Sequence, residues 1–154
     1  MADEIERKFL VSNLPTGIEG YPHNDIVQGY LRISDDGSEE RVRRKGTRYS
    51  HTVKSGKGLI REETEKEISE EQFDELWPNT KNKRISKIRY DIGYKGVLIE
   101  LDVYSGELEG LVVAEVEFES EEDSSYFIPP KWFGEEITQD ERYKNKNLAL
   151  SGMP

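Results

Sequence analysis

The chain has 154 residues, the length of one domain, so we predict a single domain over residues 1–154. Its net charge of −10 at pH 7 disfavours binding to double-stranded nucleic acid or an anionic membrane surface, because both attract an excess of Lys and Arg. The absence of cysteine excludes disulfides and thiolate metal sites, and two histidines are too few for a His-rich zinc site.

Most of the chain alternates between apolar and charged residues with a period of two, which predicts β-strands. We predict eight strands, at about residues 3–11, 26–33, 39–46, 49–55, 60–68, 83–91, 97–105 and 112–119. Turn-forming residues at 35–38 join the second and third strands, those at 56–58 join the fourth and fifth, and those at 93–96 join the sixth and seventh. Short connections favour antiparallel neighbours, and eight such strands can close into a barrel, although a two-sheet sandwich would use the same strands.

Three short helices are predicted beside the strands. The first follows a capping box at 69–72 and ends at Trp77-Pro78, the second runs from Ser120 to about Phe127, and the third covers about 140–150. His23 is placed in a loop and His51 in a surface hairpin. The predicted fold class is mainly β (α+β), a closed eight-stranded antiparallel β-barrel, or tunnel, with a few flanking helices.

The N-terminal sequence lacks the features of a targeting or membrane segment. It is charged from its third residue, and no stretch approaches the ~20 apolar residues of a membrane span. We therefore expect a cytoplasmic protein that does not bind a membrane. The sequence leaves open whether it is a monomer or a homodimer.

Charged residues repeat along one face of nearly every predicted strand, because residues two apart share a face. Acidic pairs lie on the first, fifth, seventh and eighth strands, and basic pairs lie on the third and sixth. For any one strand this pattern also fits a sheet with its charges in water. Segregation of the signs by strand favours a charged internal cavity, with the apolar faces outside and covered by helices.

A cavity of this kind needs ligands that balance its charge, because an unpaired buried ion is strongly destabilising. Arg and Lys bind phosphate oxygens, and carboxylates without His or Cys prefer a hard cation such as Mg²⁺ or Mn²⁺. The two requirements together predict a metal–polyphosphate complex as the ligand.

Glu4-Ile5-Glu6-Arg7-Lys8 has the pattern ExExK, and further motifs follow in the segments 28–31, 41–43, 52–55, 61–65, 87–90, 100–103, 115–118, 132–136 and 142–146. Together these motifs resemble the CYTH, or triphosphate tunnel metalloenzyme, superfamily, of which ExExK is a signature. It implies an eight-stranded antiparallel tunnel that acts on a small-molecule triphosphate with Mg²⁺ or Mn²⁺. Among family members, the chain looks most like the short bacterial ones, which implies hydrolysis of inorganic tripolyphosphate.

The resemblance also implies roles for individual residues. The expected metal ligands are carboxylates: Glu4, Glu6 and Glu117 first, with Glu115 beside them, and Glu63, Glu65, Glu100 and Asp102 for a second metal or for water. The expected phosphate-binding residues are Lys8, Arg41, Arg43, Lys54, Lys87 and Arg89, with Arg61 less clearly oriented. We expect the carboxylates of the first and last strands to meet because the barrel closes.

Lys8 and Tyr30 are the candidates for activating water. Lys8 is expected among other cations of the cavity, and Tyr30 on the neighbouring strand. The alternative is that Lys8 only binds phosphate.

Two other functions remain open on the sequence alone. One is action on an organic triphosphate, as a thiamine triphosphatase, nucleoside triphosphatase or class IV adenylyl cyclase. The other is a non-catalytic polyphosphate-binding module, for which a full acidic set would be unnecessary.

Overall fold

The computed structural model describes residues 5–55 and 62–154 and contains all eight predicted strands. The strands are β1 Ile5–Leu10, β2 His23–Ile33, β3 Glu39–Lys45, β4 Arg48–Ser55, β5 Glu62–Ile68, β6 Arg84–Tyr94, β7 Val97–Tyr104 and β8 Val112–Phe118. They form one sheet in the order β1-β8-β7-β6-β2-β3-β4-β5. The recorded pairings are antiparallel, as the short connections predicted.

Three short α-helices accompany the sheet: α1 Glu70–Leu76, α2 Glu121–Tyr126 and α3 Asn145–Ser151. The predicted capping box of α1 is confirmed, since Gln72 N donates to Ser69 Oγ and Ser69 N donates to Gln72 Oε1. The third predicted helix is shorter than expected. A 3-10 turn at 141–143 precedes α3, and the extended backbone of Lys144 (ψ 138°) separates them. No helix in the described ranges is long and apolar enough to cross a membrane.

His23 begins β2, so its predicted placement in a loop is wrong. The backbone of Asp91 on β6 donates to Pro22 O at 2.9 Å, which extends the strand pairing to this point. The segment 56–58, predicted as a turn, lies outside the described residues. At 93–96 the strands themselves continue through Tyr94, and the turn is made by Lys95 and Gly96, both with positive φ.

The chain divides into two compact units, the first of residues 1–24 and 87–141 and the second of 25–86 and 142–154. In the first unit, the apolar face of the strands packs against Phe127, Trp132 and Phe133. In the second unit, Phe73 of α1 packs between Tyr49 and Trp77, with each pair of ring centroids 5.1 Å apart. One face of the strands in each unit is therefore covered by aromatic side chains.

The edge of β1 that faces away from β8 is occupied by residues 134–138, here named the edge segment. Leu10 N donates to Glu135 O at 2.8 Å, and Ile137 N donates to Lys8 O at 2.8 Å. Gly134 N donates to Leu10 O at 2.6 Å, and a Cβ on Gly134 would lie 2.8 Å from that oxygen. The lack of a side chain at Gly134 therefore permits this close approach.

We expect Gly29→Ala to lower the free energy of unfolding by about 1–3 kcal/mol through overpacking. A Cβ at Gly29 would lie 2.5 Å from Cβ and Oγ1 of Thr80. Thr80 is fully buried and cannot easily move, because its hydroxyl donates to Trp77 O and accepts from Arg84 Nε. Denaturant unfolding of the purified variant measures the loss.

Gly93→Ala is the matched control for this substitution. Gly93 also lies within a strand, but a Cβ there would meet nothing within 4 Å. Its stability should stay within about 0.5 kcal/mol of the wild type. Equal stability of the two variants would contradict the close contact between Gly29 and Thr80.

Candidate active site

In the first unit, β1 and β8 place charged side chains on one face through their register. Glu6 is directly opposite Glu117, and Lys8 is directly opposite Glu115. Cross-strand partners share a face, and Ile5 and Phe9 therefore lie on the other one. The alternation of the sequence thus becomes a charged face and an apolar face, as predicted.

Three carboxylates on this face form a compact acidic cluster. One oxygen each from Glu6, Glu115 and Glu117 lies within 4.8 Å of the others. Burial would raise the pKa of Glu115, but its hydrogen bond with Glu6 and the charge of Lys8 hold that pKa below the ordinary value. Three converging carboxylates, with no cysteine in the chain, suit a hard divalent cation.

The acidic cluster contains three of the predicted metal ligands, but they meet for a different reason from the one expected. β1 and β8 are hydrogen-bonded neighbours, so their carboxylates come together without closure of a barrel. The two ends of the strand order are β1 and β5. The fourth predicted ligand of this group, Glu4, lies outside the described residues.

A buried ion cluster lies on β6 and β7 of the same unit. Lys87 Nζ donates to Asp102 Oδ2 at 2.7 Å, and Arg89 Nε donates to Oδ1 at 2.7 Å. Arg89 also donates to Glu100 Oε2 at 3.1 Å. Two cations therefore balance two carboxylates, with the side chains of Lys87 and Asp102 only 1% and 3% exposed.

The electrostatics of this ion cluster follow from burial and from pairing. Burial lowers the pKa of Lys87 to about 8, although the charge of Asp102 acts in the opposite direction. Burial would raise the pKa of Asp102, but Lys87 and Arg89 hold it below its ordinary value. Asp102 also raises the pKa of Arg89 against the effect of burial. The charges of these residues already balance one another through their ion pairs. Their direct contact with phosphate or metal stays a prediction.

In the second unit, β2, β3 and β4 carry a basic face. Arg41 is opposite Tyr30 on one side and Thr52 on the other, and Gln28 is opposite Arg43. Arg41 Nε and Gln28 Oε1 are buried without a hydrogen-bond partner among the described residues. Buried polar atoms are rarely left unsatisfied, so these two atoms indicate a place for a polar ligand.

Tyr30 does not lie on the strand beside β1, as the sequence suggested, because β2 is placed between β3 and β6. Its hydroxyl accepts a hydrogen bond from Gln28 Nε2 at 3.2 Å, and burial raises its pKa. In the first unit, Lys8 lies beside carboxylates, and its charge and that of Arg89 both act on Glu115. Its Nζ is 3.6 Å from Glu6 Oε1.

The remaining predicted residues are spread over β4 and β5. Lys54 Nζ lies 3.9 Å from Glu39 Oε1. Glu63 and Glu65 are exposed, and Glu65 Oε1 accepts a hydrogen bond from Thr52 Oγ1 at 2.7 Å. The metal role of both glutamates stays a prediction. Arg61 lies outside the described residues.

Sequence reasoning missed Gln28, whereas it placed His51 correctly in a hairpin. Gln28 is two residues before Tyr30, so the period of two could have assigned it to the same face. His51 lies on β4, within the hairpin that β3 and β4 form, and its Nε2 is 2.8 Å from Glu40 Oε1. His51 pairs with Val42 across the strands, on the opposite face from Arg41 and Arg43.

Comparisons with known proteins agree with this geometry. The CYTH domain family matches residues 2–150. The chain is 51% identical to an inorganic triphosphatase of Nitrosomonas europaea, over 96% of this chain and 97% of that protein. It is 38% identical to an inorganic triphosphatase of Acetivibrio thermocellus, over 97% and 94% of the two chains. A crystal structure of an inorganic triphosphatase superposes with a TM-score of 0.80 at 48% identity, covering 100% of this chain and 98% of that one.

Proposed function

The chain belongs to the CYTH domain family, and from this premise we propose that it hydrolyses inorganic tripolyphosphate to pyrophosphate and orthophosphate with the help of a divalent metal. The single observation that carries the proposal is the acidic cluster of Glu6, Glu115 and Glu117. The inorganic triphosphatase activity of the relatives supports it. We further propose that residues 1–154 act as one catalytic domain.

Glu6, Glu115 and Glu117 would hold the cation, and their oxygen ligands fit Mg²⁺ or Mn²⁺. When bound, such a cation offsets the negative charge of a triphosphate and polarises its phosphoryl oxygens. The arginines Arg41 and Arg43 would contact phosphate oxygens, with Lys54 adding a point charge. The buried Nε of Arg41 supports this role, because an anion would satisfy it.

The closed tunnel is also a proposal. The charged faces would line its wall, and the triphosphate would be enclosed between them. The backbone N–H and C=O groups of Lys8 and Leu10, on the edge of β1 away from β8, already form hydrogen bonds with the edge segment.

Tyr30 would serve the reaction as a hydrogen-bond donor. Because burial raises its pKa, its phenol stays protonated near neutral pH and cannot act as a base there. Lys8 would contribute its positive charge to a phosphate group, or accept a proton from the attacking water. Arginine at position 8 would keep the positive charge but would not take part in proton transfer at neutral pH. The variant Lys8→Arg therefore distinguishes the two roles.

Phosphate release from tripolyphosphate, thiamine triphosphate and ATP, assayed side by side, tests the proposed substrate. We expect the highest kcat/KM with tripolyphosphate. A preference for thiamine triphosphate or ATP would overturn the substrate assignment, and formation of cyclic AMP would identify a cyclase. Tight binding of tripolyphosphate without turnover in Mg²⁺ or Mn²⁺ would identify a binding module.

We expect EDTA to reduce hydrolysis of tripolyphosphate to the background rate, because the acidic cluster cannot bind a polyanion without a cation. Adding Mg²⁺ or Mn²⁺ in excess over the chelator should restore the activity. A continuous phosphate assay before and after each addition measures both effects. Full activity in EDTA would contradict the metal assignment.

A further inference from the structure

Arg7 lies between Glu6 and Lys8 in the sequence but contacts a different part of the molecule. Its Nη1 donates to Ser124 O at 2.9 Å, near the end of α2. Its Nε and Nη2 donate to the two carboxylate oxygens of Glu136 at 3.0 and 2.7 Å. A bidentate pair of this kind fixes the orientation of both side chains.

The pair continues as a chain of hydrogen bonds back to β1. Thr138 Oγ1 donates to Glu136 Oε2 at 2.6 Å and accepts from Lys8 N at 3.0 Å. The backbone N–H of Lys8 thus donates to the hydroxyl of Thr138. The carboxylate of Glu136 sets the orientation of that hydroxyl, and Arg7 sets the orientation of the carboxylate. We name this set of contacts the Arg7–Glu136–Thr138 network.

The network is charged and fixed in place by its surroundings. The hydrogen bond between the two side chains raises the pKa of Arg7 and lowers that of Glu136, so both are ionised at neutral pH. Gly134 and Ile137 bind the edge segment to β1 on either side of Glu136. The network therefore joins the backbone between Glu6 and Lys8 to the end of α2 through contacts that do not involve the charged face.

We propose that Arg7, Glu136 and Thr138 are positioning residues that hold the backbone of β1 so that Glu6 and Lys8 meet the metal and the triphosphate in the correct geometry. The part that concerns turnover rests on the proposed function, whereas the part that concerns metal binding does not. Outer contacts that orient ligands commonly change metal affinity or activity by about 10–100-fold when removed.

Thr138→Val and Thr138→Ser test the proposal, because valine keeps the shape of threonine without its hydroxyl and serine keeps the hydroxyl. We expect Thr138→Val to weaken Mn²⁺ binding and to lower kcat/KM for tripolyphosphate, each about tenfold. Thr138→Ser should restore both to within about twofold of the wild type. Titration of the substrate-free protein with Mn²⁺, followed by electron paramagnetic resonance, measures the first quantity.

Ser120→Ala is the control for a loss of stability alone. Its hydroxyl accepts from Asp123 N at the start of α2 and is not one of the groups of the Arg7–Glu136–Thr138 network. We expect a lower melting temperature with unchanged Mn²⁺ binding. If Thr138→Val does not fold, Glu136→Gln replaces it, because it removes the charge that binds Arg7 and leaves the hydroxyl of Thr138 in place. That variant should weaken Mn²⁺ binding in the same direction.

The outcomes separate this proposal from the proposed function. If a folded Thr138→Val or Glu136→Gln variant binds Mn²⁺ as tightly as the wild type does, the positioning role is overturned. This holds even if the wild-type protein hydrolyses tripolyphosphate. A second outcome is that the wild type does not hydrolyse tripolyphosphate but binds Mn²⁺ more tightly than the variants do. That outcome would support the positioning role and reject the proposed function. Absence of Mn²⁺ binding by the wild type would overturn the positioning role.

Discussion

Asp102→Asn should lower the free energy of unfolding by about 3–5 kcal/mol, because it removes the negative charge from a buried ion pair. Asparagine has nearly the same shape, so no cavity forms. The substitution would leave Lys87 and Arg89 without the carboxylate that both of them contact, and Lys87 is fully buried. Chemical denaturation of the purified variant at neutral pH measures the loss.

Glu100→Gln is the matched control on the same strand. Its carboxylate contacts Arg89 at 3.1 Å, and its side chain is 22% exposed. We expect a loss of no more than about 1 kcal/mol, as for partly exposed ion pairs. Adding Lys87→Met to Asp102→Asn should recover part of the stability, because one stranded cation is removed. No recovery would indicate that the buried charges do not cause the loss.

The effect of Asp102→Asn should also depend on pH. The folded protein lowers the pKa of Asp102, so this carboxylate stabilises the fold fully above its ordinary pKa of about 4. The stabilisation is lost as the pH falls through the lowered pKa of the folded state. The difference between wild type and variant should therefore shrink in acid. A difference that grows below about pH 4 would contradict the assignment.

Lys8→Ala should reduce turnover of tripolyphosphate by about 10²–10⁴-fold, the range of a group that transfers protons or stabilises developing charge. The fold should persist, because the side chain of Lys8 is partly exposed and its ion pair with Glu6 is long, at 3.6 Å. Steady-state kinetics and a thermal unfolding curve of the same preparation measure both properties. A similar loss is expected for Arg43→Ala.

Lys66→Ala and Lys8→Arg are the controls for this experiment. Lys66 is an exposed lysine of β5 on the opposite face from Glu65, and its loss should leave turnover within about twofold of the wild type. Arginine at position 8 keeps the charge but does not release its proton at neutral pH. Activity of Lys8→Arg near the wild-type level would identify phosphate binding. A loss as large as that of Lys8→Ala would identify proton transfer.

The period of two in the sequence was enough to predict the strands and the face on which each charge lies. It assigned Glu115 and Glu117 to one face of β8, and Val116, which is fully buried, to the other. The turn at 35–38 and the capping box at Ser69 depend on local chemistry, so they were predicted correctly as well. These features require only interactions between residues that are close in the sequence.

The partners of each charge could not be predicted in this way, because they depend on which strands become neighbours. The sequence analysis expected β1 and β8 to meet, but only as a result of barrel closure, and it contains no signal that β2 lies between β3 and β6. Asp102 shows the consequence, since its predicted role was metal binding, whereas its oxygens accept hydrogen bonds from Lys87 and Arg89. The family resemblance identified the residue types of the site but not these contacts.

The placement of β1 has a consequence for biosynthesis. This strand leaves the ribosome before the other seven strands, yet its partner on one side is β8 and on the other the edge segment, and Arg7 is 129 residues from Glu136. At a translation rate of about 5–20 residues per second, β1 waits roughly 6–26 s for its last partner. The apolar side chains of Ile5 and Phe9 remain uncovered during that interval. The first unit therefore completes its folding only after residues 134–138 have been synthesised, and a chaperone that binds β1 would protect this strand until then.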